Sequence, residues 1–97
     1  MTVWKFPLSR VSTVTVIQMP MGAQVLTLQT QCGAPCLWAL CDPARPMVTR
    51  RFLTVGTGTP FTPADENTHP HEYIGTYQQA GGEFVFHVFE TFVGDVL

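Results

Sequence analysis

Charge is what this sequence lacks. Five Lys and Arg and seven Asp and Glu make up only 12% of its 97 residues, against about a quarter in an ordinary soluble domain. The basic residues Lys5, Arg10, Arg45, Arg50 and Arg51 are scattered. Five dispersed cations do not build the continuous basic track that a nucleic-acid polymer requires. The acids are too few for a polyanionic mimic of DNA. No long hydrophobic run is present either. The longest, Cys36 to Cys41, is far short of the roughly 20 residues a helical membrane span needs. The start of the chain lacks the apolar core of a secretory signal. Cysteines number three, an odd count that does not suit a secreted disulfide framework. Reduced thiols and a cytoplasmic setting are therefore expected, with no membrane partner.

A helical period is also missing. No segment repeats its apolar residues at 3.6-residue spacing over three turns. Short runs rich in Val, Ile, Thr, Phe, Tyr and Trp lie between eight prolines and eight glycines, and that is the vocabulary of strands. Seven strands are expected, at Thr2–Phe6, Ser12–Gln18, Gln24–Gln31, Cys36–Asp42, Val48–Val55, Tyr73–Gln79 and Phe84–Phe89. Turns fall at Pro20-Met21-Gly22, Cys32-Gly33-Ala34-Pro35, Pro43–Pro46 and Ala80-Gly81-Gly82-Glu83. Residues 56–70 form the one long loop, in which Thr62 and Pro63 can cap a helical turn. The fourth and seventh strands are apolar on both faces, which places them in sheet interiors. The fold class is all-β: a small antiparallel sandwich or barrel of about seven strands, one domain spanning 1–97.

So small a body, 45% hydrophobic, has few ionic side chains to cover it. Threonine and glutamine must cover part, and a second copy of the chain is expected to shield the rest, making a homo-oligomer.

Four constellations carry possible chemistry. His69, His71 and Glu72, with His87 and the Cys32-x3-Cys36-x4-Cys41 spacing, resemble a zinc ligand set. Cys36 and Cys41 lie an odd number of residues apart on one strand, however, and so face opposite sides; no metal is expected. Any cysteine and histidine form a dyad on paper, but no activating context accompanies these. The chain is expected not to be an enzyme and to need no cofactor. Arg50 and Arg51 lead into Gly56-Thr57-Gly58-Thr59, a turn whose N–H groups and hydroxyls can wrap an anion. Adjacent strand residues point apart, so only one of the two arginines can aim at a given pocket; the alternative is a turn-rich loop with surface arginines pairing to Asp42 or Glu90. Among the aromatics, Trp38 reads as core. Tyr73 and Tyr77, four residues apart on one strand, read as a single ligand wall. The expected ligand-binding set is thus Arg50, Arg51, Gly56, Thr57, Gly58, Thr59, Tyr73 and Tyr77.

Several runs carry a resemblance. They are Trp4-Lys5-Phe6-Pro7-Leu8, Met19-Pro20, Gly22-Ala23, Leu37-Trp38-Ala39-Leu40 with Asp42-Pro43, Gly56-Thr57-Gly58, Tyr73-Ile74-Gly75-Thr76 and Phe86-His87-Val88-Phe89-Glu90. Across nearly the whole chain they resemble a family of small uncharacterised proteins encoded by bacteriophages and prophages. The resemblance supplies no catalytic residues. By association it implies a phage accessory protein in the bacterial host cytoplasm. Such a protein would act in counter-defence by sequestering a small nucleotide-type signal. The alternatives are an inhibitor that grips a host protein and a minor virion component.

Overall fold

A computed structural model describes residues 1–61 and 72–91. Seven strands form two antiparallel sheets: β1 (Thr2–Pro7), β2 (Val14–Pro20), β3 (Gln24–Gln31), β4 (Ala34–Cys41), β5 (Met47–Gly56), β6 (Glu72–Gln79) and β7 (Phe84–Thr91). The three-stranded sheet has the order β1-β4-β3, and the four-stranded sheet β2-β5-β7-β6. The expected sandwich is the observed one, and β4 and β7 are interior strands as their apolar faces require. The helical turn expected at Thr62 lies outside the described residues.

Strand ends follow local chemistry. Cys32 and Gly33 both take positive φ (52° and 81°), the two-residue hairpin turn that matches the natural strand twist. The β3–β4 turn is therefore shorter than expected, and Ala34 and Pro35 belong to β4. β2 runs on through Met19 to Pro20. Proline is tolerated there because β2 is an edge strand and its missing N–H breaks no ladder.

Inward-facing residues of both sheets make one core. Phe52, Met19, Leu37, Ala39, Cys41 and Val88 are fully enclosed, with Trp4 and Phe6 packed against them. Trp38 corrects an expectation. It sits opposite Lys5 and Thr27 on the outward side of the three-stranded sheet, half-buried, and Trp4 takes the core role instead. Around Trp38 the outward face is covered by polar chains, Lys5 donating from Nζ to Gln31 Oε1 at 2.8 Å.

Each sheet carries one register shift, at Val25/Thr27 in β3 and at Tyr73/Gly75 in β6. These two edge strands approach each other where the sheets meet. A Cβ on Gly75 would lie 3.2 Å from Leu28 Cδ2 and 3.3 Å from Leu28 Cβ. Gly75→Ala is therefore expected to wedge the seam and cost about 1–3 kcal/mol by overpacking. Urea denaturation measures this, and a variant as stable as the parent would show that the seam can spread freely.

Candidate functional site

Alternation along β5 sends Arg50 and Arg51 to opposite faces, and the structure gives them different fates. Arg50 points inward. Its Nε and Nη2 donate to Glu90 Oε2 and Oε1, each at 2.7 Å, and Nη1 donates to the Ala23 carbonyl at 2.6 Å. Glu90 is 3% exposed, so this is a two-pronged ion pair largely removed from water. Its hydrogen bonds hold the Arg50 guanidinium charged, raising its pKa further despite the opposing effect of burial. Arg50 also stands 6.0 Å from the centre of the Phe52 ring. It ties the four-stranded sheet to the β2–β3 turn and is committed to the fold, so it leaves the ligand-binding set. Of the alternative reading, in which surface arginines pair with Asp42 or Glu90, the structure shows the Glu90 pairing for Arg50, but largely buried and not at the surface.

The Tyr73–Tyr77 wall also needs correcting. Ile74 is an extra residue in the ladder, so Tyr73 pairs with Phe89 on the outward side and Tyr77 with Phe86 on the inward side. A bulge of one residue reverses the parity on which a shared face depends. Tyr77 is 8% exposed and packs in the core cluster, its ring 5.5 Å from that of Phe86. Tyr73 stays 57% exposed and meets Phe89 edge-on at 5.6 Å.

Burial raises the Tyr77 phenol above its ordinary value near 10, with nearby Arg10 pulling weakly the other way. The unfolded phenol thus ionises before the folded one. The contribution to stability is intact below about pH 10 and is lost as pH climbs through the folded value. Tyr77→Phe is expected to flatten the alkaline arm of a plot of melting temperature against pH. An unchanged arm would contradict the burial.

What the structure does gather is a polar chain on the outward face of the four-stranded sheet. Thr57 Oγ1 lies 2.7 Å from His87 Nε2, Thr76 Oγ1 lies 3.0 Å from His87 Nδ1, and the Tyr73 hydroxyl is 2.6 Å from Thr76 Oγ1. One direction of donation satisfies every member. Tyr73 donates to Thr76, Thr76 to Nδ1, Nε2–H to Thr57, and Thr57 to the Val85 carbonyl at 3.4 Å. Tyr73 is the free head of this chain. Turning its hydroxyl to a ligand leaves no buried group unpaired. Arg51, exposed and without an ion pair among the described residues, emerges on the same face opposite Thr91.

Thr57 comes from the Gly-Thr turn. Gly58 takes φ +84°, and Thr59 N–H closes the turn on the Gly56 carbonyl at 3.1 Å. Of the expected set, the structure therefore places Arg51, Thr57 and Tyr73 on one surface with Gly56, Gly58 and Thr59 at its margin, and Arg50 and Tyr77 inside. His87 and Thr76 went unnoticed as members. The odd-numbered offset of His87 from the buried Val88 and Glu90 marks it as outward.

No group of three or more His, Cys, Asp and Glu side chains among the described residues is placed to hold a metal ion. His69 and His71 lie outside them. Glu72 and His87 pair with residues on opposite faces, and Cys32 is exposed while Cys36 and Cys41 are buried. No helix among the described residues is long and apolar enough to cross a membrane.

Residues 1–94 match the family model described as Domain of unknown function (DUF7352), and the chain belongs to that family. No curated protein and no solved structure matches.

Proposed function

We propose that this DUF7352 member is a non-enzymatic phage accessory protein that holds a small anionic nucleotide-type signal, pairing two copies over the outward face of the four-stranded sheet. The phage origin and the counter-defence role rest on the resemblance of its sequence alone. The observation that carries the binding reading is the Tyr73–Thr76–His87–Thr57 chain, with Arg51 on the same face. It offers an exposed ring for a base to stack on and, at Tyr73, a hydroxyl donor that can turn to the base's polar edge. The same face supports self-association. Val16, Met47 and Tyr73 are each more than half exposed, and Arg51 is the one cationic or anionic residue among the outward positions of these four strands. A two-fold contact brings the same patch of each copy together. Two Arg51 guanidinium groups then meet one ligand, which suits phosphate better than a single cation does.

Melting the protein with a panel of cyclic and linear nucleotides tests this. A ligand present at one hundred times its Kd adds about 2.7 kcal/mol, or roughly 10–20 °C for a domain this size. Arg51→Ala and Tyr73→Ala are expected to abolish the shift. A flat response across the panel would overturn the reading.

A second reading is capture of a host protein. It is favoured by β1, which among the described residues pairs with β4 alone and so presents an edge to which a partner strand can add. A pull-down from host lysate that yields one stoichiometric protein, lost on replacing Val3 with proline, would favour it.

A further inference from the structure

A separate cleft of about 340 Å³ opens at the end of the sandwich where β2, β4 and β7 begin. Its walls include Pro35, Phe84, Phe86 and Tyr77, its rim carries Arg10, and Thr54 lies at its base. We infer that this cleft is a binding site for a small planar ring acid: a monocarboxylate with a polar group on the edge opposite the carboxylate.

Each part of that description comes from a side chain. The volume is at the low end for small-molecule sites and accommodates one or two rings. Phe84, 54% exposed, and Phe86 offer aromatic faces. Among the described residues Arg10 is the one charged residue lining the cleft, so it matches a single negative charge rather than a polyphosphate. A guanidinium also takes a carboxylate through two parallel hydrogen bonds. Among the described residues Arg10 has no ion pair, and its backbone is held ready. Ser9 Oγ accepts from Val11 N–H at 3.2 Å and from Ser12 N–H at 3.0 Å, while Ser9 N–H donates to Thr15 Oγ1 at 2.8 Å.

The far edge is specified by Thr54. Its hydroxyl is buried and has no hydrogen-bond partner, a condition that native interiors avoid. The oxygen is closed off from the cleft as it stands, so a polar substituent on the deep edge of the ring supplies the missing bond once the Thr54 side chain turns toward it. Tyr77 adds a second donor from the wall, since burial keeps its phenol protonated.

The site is independent of the proposed nucleotide face and shares no residue with it, so each can fail alone. Amide-resolved NMR titrations with benzoate, 4-hydroxybenzoate and inorganic phosphate test it. 4-Hydroxybenzoate is expected to bind saturably, shifting Arg10, Thr54 and Tyr77, and about tenfold more tightly than benzoate, because benzoate leaves Thr54 unpaired. Arg10→Met is expected to weaken both ring acids at least tenfold, whereas Arg51→Ala changes neither. Thr54→Val is expected to erase the preference for the hydroxyl and to melt no lower than the parent, because the hydroxyl it removes has no partner. The inference is overturned if neither ring acid saturates, if Arg10→Met binds as well as the parent, or if phosphate competes equally with the ring acids.

Discussion

Arg50→Met is expected to destabilise the protein by about 3–5 kcal/mol, because it strands a buried carboxylate. Glu90 is nearly inaccessible to water, and both of its oxygens are satisfied by the one guanidinium. Methionine keeps most of the packing volume but donates nothing, and the Ala23 carbonyl loses its donor as well. For a domain of this size the melting temperature should fall by at least about 12 °C. Adding Glu90→Leu should recover most of the loss, since an apolar pair incurs no desolvation penalty. The double-mutant cycle reads the coupling directly. A single Arg50→Met variant that melts within a few degrees of the parent would mean the pair is well solvated. Arg50 would then return to the pool of ligand-binding cations.

The second large effect is expected at Phe52. This ring is wholly enclosed and sits inward on β5, an interior strand between β2 and β7. Truncation to alanine removes its contacts and leaves a cavity that the surrounding strands cannot close, at a cost of about 3–5 kcal/mol. Small domains have about 5–15 kcal/mol in all, so Phe52→Ala forfeits a large share. Phe52→Leu, which fills more of the space, should lose much less. Urea midpoints at constant slope measure both. A loss below about 1 kcal/mol for the alanine variant would show that the core collapses around the gap, contrary to the packing described.

The strands were legible because period and punctuation agree. Gln24–Gln31 has the bounds its sequence suggests, and β4 and β7 are interior as their two apolar faces require. The split of Arg50 from Arg51 was legible from alternation alone. What alternation could not show is the pairing across strands. Whether Arg50 meets Glu90 depends on β5 lying beside β7, a contact between residues 40 apart in the chain. The bulge at Ile74 was hinted at by Gly75, since an isolated glycine within a strand often marks one. Reading through it put Tyr73 and Tyr77 on one face. The end cleft was illegible for the same reason as the ion pair: Arg10, Thr54 and Phe84 come from three distant stretches and share nothing in sequence. Scarcity of charge leaves apolar side chains in water on both outward faces: Val3 among Lys5, Thr27 and Gln29 on the three-stranded sheet, and Val16, Met47 and Tyr73 on the four-stranded sheet.

That second face is where binding is proposed, and mapping it by amide and side-chain NMR during titration with the nucleotide that most raises the melting temperature is the direct test. Shifts should concentrate at Arg51, Thr57, Tyr73, Thr76 and His87, appear together with a doubling of the solution mass, and leave Arg50 unmoved. If every nucleotide in the panel leaves those five residues unperturbed while the protein remains a single chain, the outward face is not a ligand site.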